Sequence, residues 1–367
     1  MQRKVAVVAQ AQINSADVGM PRERMLFELV KGLFDKVGIT RDDIDTFVLC
    51  SNDFNVGHTI SNVFEDCPVG AYMKDETKVE ADGVMAATYA LVRILSGLYD
   101  VALVVGASQG GSVMRPYLMM DYMLAPVYDR QLGLMNELSM AGLEARAYLD
   151  ASGVSADKLD EIAARNLAQA AKNPDAFNGK AGATAADIAA SDLLYEPLRQ
   201  GHCYPFTDGA CALLVAGEEK AKELTDKPVW IKSVSDSLDT YYAERVLASS
   251  RSVKMAGERA FKMAGMAARD LDVVELSAKF AHQEPIILES LGLGPDGGGA
   301  AVSPSGGALG AYAFNSAGLV RIAECYKQLT GTAGDTQVSG AKTALAHGQD
   351  GFCMQHNGVM ILSSEEG

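Results

Sequence analysis

Apolar positions along the chain alternate between short dense runs and longer stretches of helical spacing. "KVAVV" (Lys4–Val8) and "PVWIKSV" (Pro228–Val234) are apolar runs of strand length, and such runs fit strands buried within a sheet. After each, apolar residues recur every third or fourth position, predicting helices over Arg24–Val37 and Ser252–Ala264. Each helix ends near a glycine able to take the left-handed conformation of a C-terminal cap. An "hDhD" strand follows, Ile44–Leu49 or Leu271–Leu276, then a long helix, Gly83–Ser96 or Ser316–Thr330, and a further strand.

The two series are copies of one plan. "KGLFDKVGITRDDIDTFVLC" (Lys31–Cys50) lines up without gaps on "ERAFKMAGMAARDLDVVELS" (Glu258–Ser277), with Gly38 on Gly265, Asp43 on Asp270 and Asp45 on Asp272. "LVRI" recurs at Leu91–Ile94 and Leu319–Ile322 at nearly the same offset, the mark of an internal repeat. The halves are residues 1–225 and 226–367. Strands alternating with helices imply right-handed crossovers and sheets covered on both faces, so the fold class is α/β, two units forming a five-layer αβαβα stack. Residues 112–201 break the plan and read as a mostly helical excursion from the first half, with an amphipathic helix near Lys158–Ala171. An insertion of that length covers a site or an oligomer interface, and Met119, Met120 and Met123 read as its core or as subunit contacts.

Composition narrows the function. With 367 residues, 48% hydrophobic and 22% charged, the chain is long enough for two cores. A net charge of −15 lacks the clustered Lys and Arg of a nucleic-acid footprint. No apolar run reaches the roughly 18 residues of a membrane span, and the apolar part of "MQRKVAVVAQ" is too short for a secretory signal. The expectation is a cytoplasmic protein with neither membrane nor nucleic-acid partner. Its six cysteines are scattered, with no CxxC pair, which speaks against structural zinc and a disulfide framework and for buried reduced thiols. No GxGxxG follows a strand and no P-loop is present, so neither a nicotinamide, a flavin nor a metal is expected.

Five further segments carry a resemblance: "KNPDAF" (Lys172–Phe177), "CYPFTDGACALLVAGEEKA" (Cys203–Ala221), "DLDVVELSAKFAHQEPIILESLGLG" (Asp270–Gly294), "SPSGGALGAYAFNSAGLVRIAECYKQLTG" (Ser303–Gly331) and "ALAHGQDGFCMQHNGVMIL" (Ala344–Leu362). Together, in this order, they resemble the thiolase superfamily, and within it the sterol-carrier-protein-type and archaeal thiolases. The resemblance spans nearly the whole chain and implies the duplicated thiolase fold with a loop domain inserted in the first half. It also implies coenzyme A or an acyl-CoA as substrate or ligand, with no covalently bound cofactor. In that family a cysteine at a helix N-terminus, where peptide dipoles favour the thiolate, acts as nucleophile beside histidines and an oxyanion hole.

This sequence departs from the family at the reacting positions. The "C-A-S/T-G" turn of the nucleophile falls on Glu80-Ala81-Asp82-Gly83, and a carboxylate cannot form the acyl-thioester intermediate. Ser277 stands for a histidine, and a serine cannot switch between acid and base near neutrality. Tyr312 or Ala313 stands for a second histidine, and His347, Cys353 and His356 remain in the C-terminal segment. Ser305, Gly306 and Gly307 are the candidate ligand turn, and Gly292–Gly299 reads as another active-site turn. Each residue also has a plainer role: Glu80 as a cap of the helix from Gly83, Ser277 and Tyr312 in packing, His347 and His356 as loop polar groups, and Cys203 and Cys353 as buried thiols.

Three functions are compatible with these departures. One is a subunit without its own nucleophile, in a homodimer or in a heterodimer or heterotetramer with a cysteine-bearing thiolase paralogue or a small zinc-ribbon/OB-fold protein. Another is an enzyme processing β-keto-acyl-CoA without a covalent intermediate, with Glu80 as base. The third is an acyl-CoA or lipid carrier.

Overall fold

The computed structural model describes residues 3–56, 59–110, 125, 127–133 and 136–366; Met119, Met120 and Met123 lie outside the described residues. The first half runs β1 (Val5–Ser15), α1 (Arg22–Val37), β2 (Thr46–Cys50), α2 (Asn62–Val69), β3 (Asp75–Val79), α3 (Gly83–Leu95) and β4 (Val101–Gln109). Helices α4 (Glu137–Ser152) and α5 (Asp157–Ala170) and a hairpin of β5 (Leu193–Tyr195) with β6 (Leu198–Arg199) precede β7 (Asp208–Gly217) and α6 (Glu218–Leu224). The second half runs β8 (Val229–Leu238), α7 (Arg251–Ala264), β9 (Val273–Leu276), α8 (Gln283–Ser290), β10 (Ala301–Val302), α9 (Ala317–Thr330), β11 (Thr343–Asp350) and β12 (His356–Ser363).

The strand order is β10-β9-β11-β12-β8-β1-β7-β4-β2-β3, so the two halves read alike outward from the centre. They join where β1 meets β8, antiparallel, at Ala6 opposite Trp230 and Val7 opposite Val229. In each half the outer pairs are parallel, β2 with β4 and β9 with β11, and the inner pairs antiparallel, β4 with β7 and β11 with β12. The alternation of strands and helices in sequence foretold only the parallel crossovers. The last strand of each half returns antiparallel between the first strand and the crossover strands.

Side-chain alternation along the strands decides the layering. In β7, Leu213 and Val215 face one apolar cluster while Ala212 and Leu214 face another. Helix α1 covers the outer face of the first half through Met25, Leu26 and Leu29. Helices α3 and α9 lie between the halves, Ile94 and Ile322 sharing a core with Val104 and Met360. Helix α7 and helix α8 cover the outer face of the second half through Val253, Ala256 and Ile287. The result is the five-layer αβαβα stack.

Repeated residues do repeated work. Gly38 (φ 81°) and Gly265 (φ 65°) end α1 and α7 in the left-handed conformation. Asp43 accepts the Thr40 amide and Asp270 the Ala267 amide, both at 2.8 Å. Asp45 accepts the amides of Asp100 and Val101, and Asp272 those of Lys342 and Thr343. Each thereby anchors the start of the neighbouring strand, β4 or β11.

Two boundaries differ from the sequence pattern. β1 continues past Val8 to Ser15 because its polar residues find distant partners: Gln12 donates to Glu324 at 2.6 Å and Asn14 to the Asp175 carbonyl at 3.0 Å. The "hDhD" strands start later than their first apolar residue, since Ile44 and Leu271 close short helical turns. Among the described residues no helix is long and apolar enough to cross a membrane.

Candidate active site

The N-termini of the central helices α3 and α9, one from each half, converge on Asp82. This residue, not Glu80, caps α3: its carboxylate accepts the Val84 amide at 2.9 Å. Its other oxygen accepts the Gly318 amide at the start of α9, at 3.0 Å. Backbone closes in so tightly that side chains are excluded around it. A Cβ on Gly318 would lie 1.9 Å, and one on Gly348 of β11 1.7 Å, from the Asp82 carboxylate. A Cβ on Gly83 would lie 2.3 Å from the Leu319 nitrogen. Beneath, the Cys50 thiol donates to the carbonyls of Ala81 and Asn315 at 3.2 and 2.7 Å, tying the two helix-leading turns together.

Asp82 is only 4% exposed. Burial pushes its carboxyl up to about 7, against the pull of the Val84 amide, and the Asp350 carboxylate adds to the rise. A cleft opens over it, lined among others by Glu137, Lys279, Tyr312, Gln349 and Asp350, with Phe314 and Phe352 as apolar walls. Lys279 donates to Glu137 at 2.6 Å, and both are buried. Burial opposes the Lys279 charge, yet the Glu137 carboxylate outweighs it, so the ammonium is held more firmly than in a free lysine. Glu137 also takes the Tyr204 hydroxyl. Tyr312 packs on the Tyr204 ring, 4.7 Å between centroids, with the Lys279 nitrogen 5.9 Å from its own ring centre. Burial raises its phenol above the usual range. Among the described residues that line the cleft there is neither cysteine nor histidine.

Of the residues singled out from sequence, Tyr312 lines this cleft and the others stand elsewhere. Glu80 is half-exposed and turned to Lys78, 2.5 Å away, whose ammonium also engages Asp53 at 2.6 Å. Ser277 is fully buried behind the cleft; its amide donates to the His347 carbonyl and its carbonyl accepts from Gln349. His347 and His356 belong to strands, not to a polar loop. His347 is buried in β11 against Asn357 at 3.0 Å, and burial lowers it to about 4, a neutral ring. His356 opens β12 at the surface beside Asp236. Cys353 is packed against Met140 and Phe352, its thiol pushed well up by burial. Ser305 is locked to Glu275 through its amide and hydroxyl, at 3.0 and 2.7 Å, and Gly306 lies against Ala170 of α5, so the Ser305–Gly307 turn is interior structure. The Gly292–Gly299 turn does not line the cleft either. Of the thiols expected to be buried, Cys67 is exposed.

The sequence reading passed over Asp82, Glu137, Lys279 and Asp350. Asp82 did carry a signal, since Asp directly before a glycine-opened apolar helix is a strong N-cap. Lys279 lies within "ELSAKF", one place from an aligned position.

Residues 235–364 match the family described as "Thiolase C-terminal domain-like". The acetyl-CoA acetyltransferase of Methanothermobacter thermautotrophicus is 27% identical over 370 residues, covering 94% of this chain and 96% of that one. The chain resembles the thiolase superfamily over nearly its whole length. Rabbit (Oryctolagus cuniculus) sterol carrier protein 2 is 29% identical over 230 residues, 57% of this chain and 42% of that protein. A solved structure described as "Ltp2-ChsH2(DUF35) aldolase" superposes with a TM-score of 0.85 at 19% identity, covering 99% of this chain and 98% of that one. The cleft lies at the N-terminus of α3, with Ala81 and Asp82 in its lining.

Proposed function

We propose that this chain acts on a coenzyme A thioester and makes or breaks a carbon–carbon bond by acid–base chemistry, without a covalent acyl-enzyme. The observation that carries the reading is Asp82, a carboxyl titrating near 7 in a cleft whose described lining offers no cysteine or histidine. A base of that proton affinity is matched to working near neutral pH. The reaction that suits it is the aldol cleavage of a 3-hydroxyacyl thioester. Asp82 takes the 3-hydroxyl proton, the C2–C3 bond breaks, and C3 leaves as an aldehyde or ketone. The electron pair passes to the thioester oxygen as an enolate, toward which Tyr312 donates its hydroxyl. C2 then takes the proton back from Asp82, releasing the shortened acyl thioester. Kinship with acetyl-CoA acetyltransferases supports the thioester, and the aldolase in the description of the fold neighbour supports the bond cleaved.

The position that aligns with the family's nucleophile, Glu80, is a surface partner of Lys78 in this reading and no base. The assembly we propose is a homodimer or a hetero-oligomer with a second chain, a cysteine-bearing paralogue or a small zinc-ribbon/OB-fold protein. Two observations support it: the edge of β3, unpaired among the described residues and flanked by exposed Ile60, Val63, Tyr89 and Val92, and the second component, ChsH2(DUF35), in the neighbour's description.

The test is product analysis by mass spectrometry on the protein in its native assembly, offered 3-hydroxyacyl-CoAs and, separately, acetoacetyl-CoA with free coenzyme A. Carbonyl product and shortened thioester should appear, be lost in Asp82→Asn and persist in Glu80→Gln. Thiolysis at rates usual for thiolases, or full activity of Asp82→Asn, would overturn the reading.

A further inference from the structure

We infer that the cleft selects thioesters whose acyl end is uncharged, and that Asp350 enforces the choice; the inference rests on the cleft being the thioester site proposed above. Among the described residues, the cleft lining sets three carboxylates, Asp82, Glu137 and Asp350, against a single cation, Lys279. That cation is committed to Glu137 at 2.6 Å, with both partners buried.

Asp350 has no cation of its own among the described residues. Its carboxylate accepts the Gly351 amide at 2.7 Å and nothing else. As the last residue of β11 it is fixed opposite His356 in the ladder with β12. Two residues earlier, Gly348 presses its backbone against the Asp82 carboxylate. The strand that carries Asp350 therefore cannot shift without disturbing Asp82, so the two acids stay on adjoining walls.

What the cleft offers a ligand is a neutral donor. Tyr312 is 3% exposed, its hydroxyl has no hydrogen-bond partner among the described residues, and it lines the cleft. A hydroxyl that lines a cleft without a partner among the described residues is satisfied by the oxygen of a carbonyl, hydroxyl or thioester. A ligand carboxylate has a harder fit. To find a cation it must draw Lys279 from Glu137, leaving that acid buried and uncompensated, and it must do so facing Asp350. Like charges at contact separations in a partly buried site discriminate by about tenfold or more.

The test compares butyryl-CoA with succinyl-CoA, of equal acyl length and lacking a 3-hydroxyl to cleave, by calorimetric titration of the native assembly. Wild type should bind butyryl-CoA at least about tenfold more tightly. In Asp350→Asn the gap should narrow about tenfold through tighter succinyl-CoA binding, and Asp350→Glu, which keeps the charge, should restore it. Equal affinities in wild type, or a ratio untouched in Asp350→Asn, would overturn this inference while leaving the thioester reading intact. Failure to bind butyryl-CoA at all would remove both.

Discussion

Gly318 donates its amide to the carboxylate of Asp82 at 3.0 Å, although 236 positions separate the two residues. One acid thus terminates the central helices of both halves, and the cleft opens where they meet. The same contact that locks the duplicated fold together holds a carboxyl in the lining of the cleft.

The close fit around Asp82 gives a sharp stability test. In Gly348→Ala the new methyl would sit 1.7 Å from the Asp82 carboxylate, and strand and helix backbones leave no path of relaxation. A loss of about 2–4 kcal/mol is expected in urea unfolding. Gly32 in α1 has nothing within 4 Å of its virtual Cβ and no positive φ. Gly32→Ala should therefore stabilise, by about 0.5–1 kcal/mol. Similar outcomes for the two substitutions would contradict the packing described.

Stability should also depend on pH in a particular direction. Burial raises Asp82 from 3.8 to about 7 and Glu65, beside Arg22 at 3.6 Å, from 4.5 to about 7. The folded chain therefore holds protons that the unfolded chain has already released. The stability this contributes is complete below about pH 4 and is lost as pH rises through about 7. The unfolding free energy should fall by a few kcal/mol between about pH 4.5 and 8. Asp82→Asn should flatten part of that slope whatever its absolute stability. A profile that climbs across the window would refute the assignment.

Inside the second half, Arg321 meets Glu275 at 3.0 Å with both side chains buried, and Glu275 in turn holds Ser305. Arg321→Met strands a buried carboxylate and should cost about 3–5 kcal/mol in chemical denaturation. Pairing it with Glu275→Leu should recover most of that loss, since removing both charges leaves neither uncompensated. Additive losses in the double variant would show that the two residues do not interact.

What the sequence revealed divides along the range of the interaction. Gly38 with Gly265 and Asp45 with Asp272 were legible because each closes a helix or anchors a strand by backbone contacts that a local motif specifies. β1 was truncated at Val8 because the partners of Gln12 and Asn14 come from Glu324 and Asp175, which no local pattern announces. The site fell to the same limit. Alignment drew attention to the turn before α3, which borders the cleft, but Glu80 and Asp82 are two places apart, and only the arrival of Gly318 and Gly348 decides which acid faces inward. Glu137 and Lys279 stand 142 positions apart, and neither suggests the other in sequence.

The thiols offer a direct test of the proposal that no cysteine acts as nucleophile. Cys67 is exposed, whereas Cys50, Cys203, Cys211, Cys325 and Cys353 are buried. Burial pushes the thiols of Cys50, Cys211, Cys325 and Cys353 well above the usual value, leaving little thiolate to react. A chromogenic disulfide reagent should therefore find one fast thiol in the native protein, lost in Cys67→Ser, and the rest only on unfolding. Iodoacetamide should leave turnover of the Cys67→Ser protein unchanged, where a thiolase-type nucleophile would be blocked. Glu80→Cys carries the argument to the aligned position itself. Because that side chain points to Lys78 and solvent rather than into the cleft, the variant should gain a second fast-labelling thiol and no thiolysis of acetoacetyl-CoA. Thiolysis gained by this one change would mean that residue 80, and not Asp82, addresses the substrate.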